Sequence, residues 1–266
     1  MSLRIQTNVE AFDAHRNLVS TQNMLSKSMQ RLSSGYRINS AADDAAGFAI
    51  SERLQSQIGG LSQAQRNVQD GVSMVQTAEG SLTQVHSMLQ RVRDLAVQYQ
   101  NGTLSQSDKT AIQSEVNQLA SEIERIGTSA QFNGINLLSS AGSITFQVGA
   151  NDNQSITVAT ISIGSQVVAA TYSLAAAGVL SQIDASISNV SAADATFGAI
   201  ENRLQYTLDN AASYQENLTS SESRIKDVDM ASEMVNFTKL QILQQAGTSM
   251  LSQANQLPQG VLKLLQ

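Results

Sequence analysis

The residues of this chain that could do chemistry are few and scattered. His15 and His86 are its two histidines, and it contains no cysteine. Each histidine lies inside a helical pattern, and no third ligand type clusters with them, so they do not read as a metal or acid–base pair. Without cysteine there can be no disulfide, thiol nucleophile or thiolate metal site. Asp43 and Asp44 are an acidic pair, but Ser40-Ala-Ala-Asp43 ahead of a helical run has the spacing of a helix cap. Eight methionines are suitable material for an adaptable binding groove. Met230, Met234 and Met250 recur on helix faces, however, and are expected to pack. Nucleophile-elbow, P-loop, dinucleotide and zinc-protease motifs are all missing. No catalytic residue, cofactor or metal is expected, and the chain does not read as an enzyme.

The elements that carry these residues are written in a repeat of seven. Leu54, Leu61, Val68, Val75, Leu82, Leu89 and Ala96 form one stripe. Ile183, Val190, Phe197, Leu204, Ala211, Leu218 and Ile225 form a second. A third closes the chain, with steps of three and four through Leu240, Leu243, Gly247, Met250, Ala254, Leu257, Val261 and Leu264. Such a repeat keeps one helix face against a partner and imposes a left-handed supercoil. The single proline, Pro258, interrupts nothing before it, and aromatic residues make up only 4% of 266 residues. A continuous helix over the first stripe runs about 60 Å. The expected fold is mainly α: an elongated antiparallel coiled-coil bundle with a small β-hairpin and paired N- and C-terminal helices.

Along the chain, the first helix spans about Val9–Ser34, with Leu18, Leu25 and Leu32 seven apart and Gly35 as its stop. The first long helix then runs to about Gln100. Asn101-Gly102 marks a turn, and Ser105-Gln-Ser-Asp108 starts a helix facing inward through Ile112, Val116, Leu119, Ile123 and Ile126. Residues 127–138 read as a connection. Ile144, Phe146 and Val148, then Ile156 and Val158, alternate as a hairpin would, with Ile161 and Ile163 as an extension. Residues 164–180 read as a surface connection. Ser181-Gln-Ile-Asp184 opens the second long helix, which weakens near Ser220–Asp229 before the last one.

The net charge is −6, and no basic stripe with interleaved aromatics is present, so nucleic acid is not an expected partner. No run of 18 apolar residues exists, so no membrane insertion is expected, and the N-terminus lacks the apolar stretch of a secretory signal. The order of elements is nearly palindromic, which brings the terminal helices together. Two helices sharing one seam have little core of their own. Burying one Leu, Val or Met fully is worth about 1.5–3 kcal/mol, so an apolar stripe left uncovered marks an association surface. The polymerisation seam is therefore expected at Leu18, Leu25, Leu32, Leu240, Leu243, Met250, Leu257, Val261 and Leu264.

Five segments resemble flagellin, the subunit of the bacterial flagellar filament. They are Leu32-Ser-Ser-Gly-Tyr-Arg-Ile-Asn-Ser-Ala-Ala-Asp-Asp-Ala-Ala-Gly-Phe-Ala-Ile50, Gln90-Arg-Val-Arg-Asp-Leu-Ala-Val-Gln98, Gln131-Phe-Asn-Gly-Ile-Asn-Leu-Leu138, Phe146-Gln-Val-Gly-Ala-Asn-Asp-Asn153 and the tail from Ala254 to Leu264. The resemblance covers about residues 1–160 and 180–266. It implies inner-tube helices at 1–43 and 226–266, and an outer helical bundle at 44–225 with its hairpin at about 142–163. Only residues 164–180 stand where many flagellins insert surface domains, so the chain resembles a short form. It further implies a homopolymeric filament used for motility and a secreted, extracellular location after export of the unfolded chain. The partners implied are an export chaperone on the C-terminal helix, hook-associated and cap proteins, and toll-like receptor 5. The positions matching the receptor patch are Gln90, Arg91, Leu95, Gln98 and Glu115, with Arg91 and Leu95 one turn apart and expected on one presented face. Asp94 stands where many relatives have Glu. A hook–filament junction protein or a secreted coiled-coil adhesin or effector is the alternative. Junction proteins tend to carry Pro after the paired aspartates, whereas Ala45 and Ala46 follow here.

Overall fold

The computed structural model describes residues 7–166 and 172–264, and the side chains of 7–164 and 172–256. The helices are α1 (Val9–Ser34), α2 (Ala45–Tyr99), α3 (Gln106–Ser129), the single turn α4 (Ile163–Gln166), α5 (Val179–Lys226) and α6 (Met230–Leu264). Among the described residues there are also four short strands: β1 (Gln131–Phe132), β2 (Ile135–Asn136), β3 (Gly142–Gln147) and β4 (Ser155–Thr160). β1 pairs antiparallel with β2, and β3 with β4. The fold is mainly α, with antiparallel helices and two small strand pairs. It divides into two compact units, Met1–Ser56 with Leu218–Gln266, and Gln57–Asn217, so α2 and α5 each contribute to both.

In the first unit α1 and α6 run antiparallel. The Asn8 amide donates to the Ala254 carbonyl at 2.8 Å, Gln244 to Gln22 at 3.1 Å, and Ser28 Oγ to Glu233 Oε1 at 2.5 Å. Asn8 also caps α1 by accepting from the Ala11 amide. Gly35 ends the helix in the left-handed conformation at φ 75°, its N–H returning to the Arg31 carbonyl. The linkers after α1 and α5 are stitched by a bridge between Tyr36 and Asp227, with Arg37 N–H on Lys226 O and Val228 N–H on Gly35 O. The cap of α2 is Asp44, which accepts from the Gly47 amide at 2.9 Å. The stretch Ser40-Ala-Ala-Asp43, expected as the cap, lies ahead of it as a turn, in which Asp43 accepts from the Asn39 and Ser40 amides and meets Lys27 at 2.6 Å.

The second unit is organised around α2, flanked antiparallel by α3 and α5. Arg93 pairs with Asp184, Gln76 with Glu201, and Gln65 with Gln215, so the α5 number rises as the α2 number falls. The expected stripes are buried here: Leu61, Val68, Val75, Leu82, Leu89 and Ala96 against Ile183, Val190, Phe197, Leu204 and Ala211. Leu54, Leu218 and Ile225 are half-buried. Ser105 and Asp108 form a capping box at the start of α3.

Three expectations need correction in this unit. The segment 127–138 is not a plain connection: α3 runs to Ser129, and Asn133 (φ 48°) and Gly134 (φ 79°) turn β1 into β2. The Asn-Gly pair is a strong hairpin signal, because both central residues of this tight turn need positive φ. The larger hairpin stops at Thr160. Ile163 opens α4 instead, fully buried, with its N–H on the Leu138 carbonyl. The stretch after it is more than a surface connection. Residues 167–171 lie outside the described residues, but Tyr172, Leu174 and Val179 are buried in the core. The Gln113 amide holds that stretch at two points, donating to Tyr172 O and accepting from Leu174 N–H, both at 2.8 Å. α5 accordingly starts at Val179, ahead of Ser181.

Candidate assembly and recognition surfaces

The terminal pair buries one face and leaves another open. The positions of α6 turned inward are Glu233, Phe237, Leu240, Gln244, Gly247, Leu251 and Ala254, buried or half-buried in alternating steps of four and three. Leu18, Leu25 and Leu32 meet them half-buried from α1. Gly247 lies under Leu18, whose Cδ1 would stand 3.3 Å from an added Cβ. The stripe that the sequence writes as one face is thus divided between two. Leu243 and Met250 do not accompany Leu240, Gly247 and Ala254; they are 45% and 67% exposed. Met230 and Met234, expected to pack, are also exposed. The side chains of Leu257, Val261 and Leu264 lie outside the described residues.

What remains open on this pair is largely apolar. Phe12, Val19, Met24 and Met29 are exposed on α1, and Val235 and Ile242 join the methionines and Leu243 on α6. A shallow hollow on α6 is lined by Met234, Val235, Thr238, Lys239 and Ile242. Scattered exposed hydrophobics need no explanation, but rows of them on both helices of one pair do. Each helix therefore has two apolar rows, one satisfied within the chain and one not.

One layer of the closed seam is polar. Ser28 and Glu233 are 2% and 8% exposed. Arg31 brings Nη1 to 3.8 Å from Glu233 Oε2, while its buried Nε has no hydrogen-bond partner among the described residues. Sequence reasoning missed this layer by starting the seam at Leu240. One step of seven back from Leu240 lands on Glu233, a charged residue at an interior position, and that was the available signal. Nearby, Lys27 donates to the Asp43 carboxylate and draws its pKa down to about 2, helped by the Asn39 amide and the Ser40 hydroxyl against a smaller cost of desolvation.

The second candidate surface lies where α2 faces α3. Arg91 donates through Nε and Nη2 to one oxygen of Glu115, at 3.0 and 2.8 Å, and both side chains are well exposed. Gln90 is exposed and shares a 2.9 Å hydrogen bond with His86; Gln98 is exposed about two turns further along. Leu95 is different. It is 2% exposed and belongs to the core. The expectation that one helix face presents Arg91 and Leu95 together fails, because α2 is covered from two sides and buries a wider stripe than a two-helix seam would. His15 and His86 sit on α1 and α2, and the described residues contain no group of three His, Asp or Glu able to hold a metal ion. No described helix is long and apolar enough to cross a membrane.

Comparison with known proteins gives these surfaces a context. Residues 5–143 match the bacterial flagellin N-terminal helical region, and residues 180–265 the bacterial flagellin C-terminal helical region. A flagellin of Halalkalibacterium halodurans is 48% identical, over 98% of this chain and 99% of the relative. The flagellin of Bacillus subtilis is 42% identical, over 99% of this chain and all of the relative. The crystal structure of Bacillus cereus flagellin superposes with a TM-score of 0.51 at 30% identity, covering 55% of this chain and 88% of that one. Matches at both ends, on the segments that build the terminal pair and the α2–α5 bundle, leave one conclusion: the chain belongs to the flagellin family.

Proposed function

We infer that this chain is the structural subunit of a flagellar filament, polymerising with copies of itself outside the cell to serve motility. The observation that carries this is the second, unsatisfied apolar row on each terminal helix. A monomer gains nothing from it; a lattice of copies does, since burying each such side chain is worth about 1.5–3 kcal/mol. In this reading the terminal helices line an inner tube and the bundle forms the outer one. The open face of α6 is what an export chaperone would cover before assembly. Hook-associated and cap proteins at the filament ends would engage the same rows. In this reading the role of the chain is structural.

The test is a charge on the open row. Ile242→Asp and Met250→Asp change side chains that are exposed in the single chain, so helix content should be unchanged. In the polymer each would bury an unpaired carboxylate at a cost of several kcal/mol. Sedimentation and circular dichroism read together should show folded but unassembled protein. Normal polymerisation of both variants would refute the role of this row.

The exposed part of the second surface, Gln90, Arg91, Gln98 and Glu115, is proposed to contact toll-like receptor 5 when the subunit is free. Leu95 would act only from within, by setting the height of α2 over the core.

A further inference from the structure

A seam built on a seven-residue repeat has a weakness: shifting one helix by seven residues puts apolar groups opposite apolar groups again. The terminal pair is open to this error. α6 follows α5 after only Asp227–Asp229, but α1 is separated from α2 by residues 35–44. A slide of α1 by one repeat is about 10 Å, well within the reach of that linker. The slide breaks the bonds that stitch Gly35 and Arg37 to Val228 and Lys226 and the Lys27–Asp43 pair at the linker end, but along the seam itself other contacts do not oppose it. The Asn8 amide bonds a backbone carbonyl, which every residue of α6 offers. Placing Ala254 instead of Gly247 beneath Leu18 adds a single methyl at a contact of 3.3 Å, which a small shift relieves.

We propose that the buried Ser28–Arg31–Glu233 layer is the register key of the terminal helix pair. The proposal rests on the filament reading, because a polymer lattice requires every copy to present its open rows at the same height. In the observed register Glu233 accepts from Ser28 and faces Arg31. Moved one repeat in one direction, Glu233 lies past the end of α1; moved in the other, it lies beside Thr21 and Met24. In either case the carboxylate loses both partners, and a buried charge without partners is strongly disfavoured. The layer is also imperfect, with Arg31 Nε buried and unbonded among the described residues. That is expected of a group that selects one arrangement at some cost to stability, as a single polar residue does inside a coiled-coil seam.

The chain has no cysteine, so introduced thiols report the register directly. Gln22→Cys with Gln244→Cys reads the observed register, since these side chains touch at 3.1 Å. His15→Cys or Met29→Cys with Gln244→Cys reads the two slipped ones. Sedimented filaments are treated with a short bismaleimide, and bridges within one chain are scored by peptide mass. With the native layer only the 22–244 bridge should form. With Ser28→Ala, Arg31→Leu and Glu233→Leu together, the slipped bridges should rise about tenfold while helix content holds. A second variant moves the key: Glu233→Leu with Leu240→Glu should transfer the bridge from 22–244 to 29–244. A variant that does not polymerise alone is read after copolymerisation with excess cysteine-free wild-type chain. An unchanged bridge ratio in both variants overturns the key and leaves the filament reading standing. Failure of the wild-type chain to form filaments removes the filament reading itself, and the key with it.

Discussion

At the scale of single residues, the difference between Arg91 and Leu95 decides what the α2 patch can do. Four matched positions are accessible and one is not. Arg91 and Glu115 hold one another in an exposed ion pair, which contributes little to stability. Each can therefore be truncated without unfolding the chain. Arg91→Ala and Glu115→Ala should weaken binding of the free subunit to toll-like receptor 5 by about 2 kcal/mol, roughly thirtyfold, if they are hot spots. Surface plasmon resonance with wild type as control checks it, and equal affinities would remove the patch. Asp43 makes a second prediction. Its carboxyl is held near 2 in the fold, below its ordinary value of 3.8. Its contribution is thus present above the ordinary value and is lost as pH falls toward 2. Thermal melts between about pH 4 and 2 should show the wild type losing stability faster than Asp43→Asn. Parallel loss in both would mean that the Lys27 contact does not persist in solution.

Elements were legible in the sequence wherever one pattern had one outcome. The limits of α1 follow from a repeat of seven closed by a glycine at a left-handed stop, and the start of α3 from its capping box. The hairpin of β3 and β4 follows from alternation. The face of α6 did not follow, because both of its rows are apolar and periodicity alone cannot say which one meets α1. The burial of Leu95 did not follow either, since the width of a buried stripe depends on how many helices flank it. Tyr172 and Leu174 owe their place to Gln113, a contact across distant sequence that leaves no local signal. The α2–α5 seam also carries a charge conflict that the repeat does not reveal. Glu79 is raised above its ordinary 4.5, first by desolvation, then by Glu201 and Asp194. Here the folded state holds the proton more tightly than the unfolded chain. Stability is therefore gained as pH falls through the raised value and is complete below the ordinary one. Glu79→Gln should raise the melting temperature by about 1–3 °C near pH 8, and leave it unchanged near pH 4, below the ordinary value. A larger gain at the acid end would reverse the assignment.

At the scale of the molecule, the two units differ in how much of their apolar surface the chain itself can cover. The bundle of 57–217 encloses a continuous core running from Val68 to Leu204. The terminal unit closes one seam and leaves whole rows of methionine, valine and isoleucine uncovered. This asymmetry is what a subunit needs if part of it is to be completed by its neighbours, and it agrees with membership of a family matched at both ends of the chain. The most direct measurement is electron microscopy of the purified chain after seeding. Filaments of open length, lost when Ile242→Asp or Met250→Asp is introduced, are the expected result. Short closed assemblies, or a protein that stays monomeric under every seeding condition, would contradict the account.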